Sequence, residues 1–299
     1  MAGDTYCEAC GHALGAPTCS FCAAKAVDVE GYCERCGLRQ PTGRDHAEIV
    51  LAGGAAAVTD RGLRRGRNED AVALLETGSR TSDQPGGQPG DPTGNLSGGA
   101  TGSPIGSPIG GPTGGTVVTV VCDGVGSSPR ADEASAVAVE TAGAALARGL
   151  SQEEAFELAG RAVAKLATSV DDAPACTYVS AAVAPDGRVT LGWAGDTRAY
   201  LLPGGDLLTE DDVVETGEIT AWLGADAGDV DLHLRAFTPQ RPGLLLVCSD
   251  GLWRYLDGYA FPATGTPIEM AREMLRHALD SGGQDNVTIV LIPLGESHG

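Results

Sequence analysis

Four acidic motifs in this chain have the form that chemistry on hard cations requires. They are Thr59-Asp60-Arg61-Gly62, running on through Arg65 to Asn68-Glu69-Asp70; Cys122-Asp123-Gly124-Val125-Gly126; Ser249-Asp250-Gly251-Leu252; and Gly283-Gln284-Asp285-Asn286-Val287. Three of them directly follow or precede an apolar run. A strand end fixes the Cα of an Asp, and a Gly after it lets the backbone turn away. The carboxylate is then aimed at the sheet edge and the Gly carbonyl is open to a cation. Several carboxylates converging on one spot repel one another unless divalent ions sit among them. Mg²⁺ and Mn²⁺ prefer such oxygen ligands. A plain turn role explains any single one of these aspartates about as well, but it explains all four, in these contexts and this order, poorly.

A second chemistry is written near the N-terminus. Cys7/Cys10, Cys19/Cys22 and Cys33/Cys36 are three Cys-x-x-Cys pairs. Tetrahedral Zn²⁺ takes four thiolates, which two such turns supply. The spacing Cys19-x2-Cys22-x10-Cys33-x2-Cys36 is that of a zinc ribbon, with Gly31-Tyr32 and Gly37 flanking its second knuckle. Four thiolates leave no open position, so this zinc is structural. Cys7 and Cys10, with His12 nearby, are a surplus pair that could be half of a truncated ribbon or could compete with Cys19/Cys22. Cys122, Cys176 and Cys248 sit in apolar runs and read as core thiols, and His46, His233, His277 and His298 have no ligand spacing.

The elements that must position these residues can be read from periodicity. Residues 1–40 are too short of apolar pattern to bury a core and form a separate zinc-ribbon module; residues 46–295 form the main domain. Strands are expected at 55–58, 71–75, 116–122, 177–184, 189–193, 198–202, 232–237, 244–248 and 287–292. Helices are expected at 131–148, at 151–168 behind the capping box Ser151/Glu154, and from Thr266, with Pro267 at the first position and Glu269 closing a second capping box. Residues 78–115 are almost wholly Gly, Pro, Ser, Thr, Asp and Gln and contain a SPIG-SPIG duplication, the composition of a disordered insertion. Strands in hairpin-like runs with helices between the runs make an α+β fold.

Composition narrows the partners. Among 299 residues the net charge is −20 and the pI is near 4.5, which disfavours nucleic acid and anionic membrane surfaces. There is no long apolar run and the opening MAGDTYCEAC lacks a secretory pattern, so a cytoplasmic protein with reduced cysteines is expected.

Taken together, T-D-R-G-x-x-R-x-x-N-E-D at 59–70, D-G-V-G at 123–126, G-D-T-R at 195–198, S-D-G-L at 249–252 and G-x-D-N-V-T at 283–288 resemble the metal-dependent protein serine/threonine phosphatases of the protein phosphatase 2C-like family, over about residues 46–295. The nearest resemblance is to actinobacterial members with a Cys-rich N-terminus. It implies a four-layer α-β-β-α sandwich. It also implies hydrolysis of phosphoserine and phosphothreonine by metal-activated water, on proteins phosphorylated by a serine/threonine kinase, and so a signalling role. By this resemblance Asp70 binds one Mn²⁺ or Mg²⁺, Asp250 and Asp285 bind the other, and Asp123 bridges both. The Gly124 carbonyl adds a ligand, Glu69 helps through water, and Arg65 holds the substrate phosphate. Asp196 is a candidate ligand for a third ion, with Asp171 or Asp172 as its partner. Arg61, Arg64 and Arg67 read as surface or structural. The chain departs from the family pattern in Ser127–Glu133 after the bridging motif, in Val125 where many relatives carry His, in Cys176 where Thr is usual, and in a short flap between Asp212 and Ile219. The alternative is a regulatory pseudophosphatase that binds partners through its zinc ribbon and linker.

Overall fold

β-Branched and small apolar runs supply the strands, and their alternation decides which side each residue faces. The computed structural model describes residues 18–19, 22–27, 32–37, 43–77, 115–169 and 172–295. Cys7, Cys10, His12, Asp171, His298 and the insertion expected at 78–115, apart from Gly115, lie outside the described residues. In chain order the elements are β1 (His46–Val50), β2 (Ala56–Asp60), β3 (Ala71–Glu76), β4 (Val117–Cys122), α1 (Ala131–Ala147), α2 (Gln152–Ala164), β5 (Ala175–Cys176), β6 (Tyr178–Val183), β7 (Val189–Ala194), β8 (Arg198–Leu202), β9 (Asp206–Leu207), β10 (Leu223–Gly224), β11 (His233–Phe237), β12 (Gly243–Cys248), α3 (Asp250–Trp253), α4 (Pro267–Asp280) and β13 (Val287–Leu294).

Two antiparallel sheets carry the fold, ordered β1-β2-β13-β12-β8-β9 and β11-β7-β6-β4-β3, with β10-β5 as a small extra pair. The period-2 pattern explains their stacking. On β4, Val117 and Val121 face the other sheet, where they meet Leu245, Val247, Val290 and Ile292. Val118, Val120 and Cys122 face the opposite way, onto α1 and α2. On β13, Val290 and Ile292 point into the intersheet core, while Ile289 and Leu291 meet Met270, Met274 and Ala278 of α4. Three cores between four layers make an α-β-β-α sandwich, as the resemblance implies. Small residues of α1 (Ala134, Ala138, Ala142 and Ala145), all fully buried, let that helix lie close on β3 and β4. Both expected capping boxes form, at Ser151/Glu154 and Thr266/Glu269.

The differences from the expected elements are local. The second helix ends at Ala164, four residues early, because 165–167 close in turns from Leu166 to Val163 and from Ala167 to Ala164. Strands β5, β9 and β10, of two residues each, are too short for a period to register, and β1 (His46–Val50), an edge strand with no buried residue, is not among the expected strands. The short flap folds as a tight hairpin, with a Val213/Ile219 bridge and Thr220 N–H donating to the Asp212 carbonyl. No helix among the described residues is long and apolar enough to cross a membrane.

Candidate metal and phosphate site

Register brings the acidic motifs to one end of the sandwich. In the five-stranded sheet Ala71 pairs with Cys122, so Asp70 and Asp123 emerge side by side. In the six-stranded sheet Cys248 pairs with Ile289, which places the Asp250 turn beside the Asp285 turn. The four carboxyls act on each other electrostatically, and Asp196 acts on Asp123 as well. Burial first, and then the neighbouring aspartates, hold Asp123 well above the usual carboxylate range. Burial pushes Asp70 up to about 7 and Asp196 up to about 6. Asp250 is raised by burial and then by Asp285, and half-buried Glu69 is raised chiefly by burial.

Asp70 is set by a hydroxyl network. Ser249 Oγ and Thr288 Oγ1 each donate to Asp70 Oδ2 at 2.7 Å. Thr288 N–H donates back to Ser249 Oγ at 2.9 Å, and Thr59 Oγ1 and Thr288 Oγ1 are hydrogen-bonded at 2.8 Å. Asn286 joins the two loops. Its Oδ1 accepts from Glu69 N–H at 2.8 Å, and its Nδ2 donates to the carbonyls of Arg61 and Arg67. Trp253 Nε1 donates to the Asp196 carbonyl at 2.8 Å, beneath the Arg198 guanidinium, 3.6 Å from the ring. These positioning residues stand inside the quoted motifs or directly behind them, but their partners lie up to 225 residues away, which spacing cannot reveal.

Close approach of the loops explains two glycines. A Cβ on Gly124 would lie 2.8 Å from the Glu69 carbonyl oxygen, and one on Gly251 would lie 1.9 Å from that of Asn286. Arg65, on the cleft wall, donates from Nη2 to Asp285 Oδ2 at 2.6 Å. Arg67 pairs with Asp132 at 3.2 Å. Asp60 stays outside the cluster: it accepts from Gly62 N–H and pairs with His46. Asp172 is held by Arg130 and Thr168. His233 bonds Asp212 and His277 meets the Tyr255 carbonyl.

Divalent ions fit this donor set. The converging carboxyls offer oxygen ligands, and Asp70 Oδ1 and Asp250 Oδ1 are buried without a hydrogen-bond partner, while Oδ2 of Asp250 pairs with Arg254 at 2.7 Å. An acid cluster so desolvated is relieved by cation charge. The aspartates gather more loosely than ligands of one ion would. Among the described residues, the only group of three or more potential metal ligands whose ligand atoms all lie within 4.8 Å of one another is Cys19, Cys22, Cys33 and Cys36. Outer ligands of two ions some 3.5–4 Å apart are necessarily farther from each other. In the Cys cluster the Cys19–Cys36 and Cys22–Cys33 sulfurs lie 3.7 and 3.6 Å apart. A tetrahedron with Zn–S bonds near 2.3 Å has an edge of about 3.8 Å.

Comparison with solved structures gives the same fold. The PPM Ser-Thr phosphatase from Mycobacterium smegmatis, in complex with cacodylate, is similar with a TM-score of 0.59 at 22% identity, covering 83% of this chain and 100% of that one. The serine/threonine phosphatase of Mycobacterium tuberculosis gives 0.56 at 23%, covering 81% and 98%. A serine/threonine phosphatase catalytic domain in complex with two manganese ions gives 0.54 at 23%, covering 82% and 98%. No curated protein matches the chain. The family model for protein phosphatase 2C matches residues 110–287, a stretch that holds Asp123, Asp196, Asp250 and Asp285, while Arg65 and Asp70 precede it. With more than half its length matched, and its carboxylates gathered at one end of an α-β-β-α sandwich, the chain belongs to the protein phosphatase 2C family.

Proposed function

We propose that this protein hydrolyses phosphoserine and phosphothreonine in proteins with the help of Mn²⁺ or Mg²⁺. The observation that carries this reading is the convergence of Asp70, Asp123, Asp250 and Asp285, with two buried carboxylate oxygens lacking partners. Asp70, Asp123, Asp250, Asp285 and the Gly124 carbonyl would hold two ions, with Glu69 assisting and Asp196 a ligand to a third. Such ions, when bound, activate water and offset phosphate charge. The chain's own part is orientation. Asp70 is fixed by Ser249 and Thr288. Arg65, paired with Asp285 at 2.6 Å, would turn its planar guanidinium from that carboxylate to two phosphate oxygens, the geometry that Arg recognises best. The relative bound to cacodylate, an oxyanion, and the one with two manganese ions support the same reading.

Residues 46–295 are the catalytic domain in this proposal, and the Cys19/Cys22/Cys33/Cys36 module binds one structural Zn²⁺. The substrates are proteins phosphorylated by a serine/threonine kinase in the cytoplasm. The test is Mn²⁺-dependent release of phosphate from a phosphothreonine peptide by the full chain, with zinc and manganese counted per chain. Asp250→Asn should lower kcat/KM by about a thousandfold, or ~4 kcal/mol. Absence of turnover by the folded parent protein with Mn²⁺, or an Asn variant as active as the parent, would sink the proposal.

A further inference from the structure

The Cys-rich module reaches the cleft. A cavity of about 350 Å³ beside the acid cluster is lined by Arg65, Gly66, Arg67, Glu69 and Gly126 and, from the module, Tyr32. Tyr32 immediately precedes Cys33, whose fully buried sulfur lies 3.6 Å from that of Cys22. The Val27/Cys33 bridge also ties this knuckle to the module's other strand-like segment. Tyr32 is thus placed by the Cys cluster, yet 39% of its surface is open. In the same cavity Arg65 lies across Gly126, where a Cβ would come within 3.1 Å of Nη1. Arg65, Arg67 and Glu69 give the cavity its charge, and among the described residues Tyr32 is its one aromatic wall.

From this geometry we infer that Tyr32 is a specificity-determining residue: its ring receives the peptide segment flanking a phosphorylated Ser or Thr whose phosphate sits on Arg65. The inference rests on the phosphatase reading above. A phosphate bound at Arg65 leaves the neighbouring substrate residues within a cavity only one or two side chains across. An aromatic surface anchored at its base offers them contact area with little loss of conformational freedom. The metal-binding module then acts on catalysis by shaping the substrate cleft, while the reacting groups all come from the sandwich.

The experiment compares a phosphothreonine peptide with p-nitrophenyl phosphate, which has no peptide, in full-length protein with Mn²⁺. Tyr32→Ala should lower the ratio of kcat/KM on the peptide to that on the aryl phosphate by about fivefold to tenfold, the worth of one aromatic contact, through KM for the peptide. Tyr32→Phe keeps the ring and should return the ratio to within about twofold of the parent, which also separates a contact from a folding defect. A ratio unmoved by Tyr32→Ala, a Phe variant as impaired as the Ala variant, or a gain of activity on both substrates overturns the inference. A parent protein that turns over neither substrate overturns the phosphatase reading itself.

Discussion

Asp70 concentrates the electrostatic tension of the site. It is almost fully buried among other carboxyls, which raises its proton affinity, and two hydroxyl donors pull the other way. Ser249 and Thr288 therefore do for Asp70 what outer-shell donors do for any metal ligand: they fix its orientation and favour its charged form. Ser249→Ala removes one donor and also strips the Thr288 N–H of its acceptor. The Mn²⁺ concentration for half-maximal turnover should rise by about tenfold to a hundredfold, with activity largely recovered at saturating Mn²⁺. An unchanged Mn²⁺ dependence would mean that the network does not tune the ligand.

The site depends on three connections being locked together: the loop from β2 to β3, the turn into α3 and the turn into β13. Asn286 bridges the first to the third through Glu69, Arg61 and Arg67. Gly251 allows the second to touch the third, with no room for a methyl group at its Cα. Gly251→Ala must push the Asn286 carbonyl aside and, with it, the Asp285 turn. Urea unfolding should show a loss of at least about 2 kcal/mol, the scale of overpacking in a rigid interior. A variant as stable as the parent would show that the loops are not tightly locked.

For the whole molecule, the gathered acids link stability to pH and to cations. Asp70 is raised to about 7 and Asp196 to about 6, so without metal the folded chain keeps protons that unfolded carboxyls release near pH 4. Between those values the native state binds more protons, and the stability contributed by these groups falls as pH rises. Cation binding displaces the protons, so the rise in Tm produced by Mn²⁺ should be larger at about pH 7.5 than at about pH 5.5. Equal rises at the two pH values would contradict the linkage. Glu48 and Glu269, lowered by Arg272 and by the Thr266 cap respectively, contribute in the opposite sense, on the acid side of the usual carboxylate range.

By itself the sequence determined the parts that rest on local periodicity and short spacing. The strand runs at 116–122 and 287–292, the two capping boxes, the four-Cys cluster and the acid motifs are each contained in a short stretch of chain, so their physics is written where they stand. The resemblance of the ordered motifs supplied the sandwich. Only the tertiary structure decided which neighbours those motifs have. That Ser249 and Thr288 both serve Asp70, that Asn286 ties together loops more than 200 residues apart, and that Tyr32 lines one cavity with Arg65 all depend on strand register and on how the loops close over one another. Such contacts join distant segments by packing, and packing has no period along the chain to read.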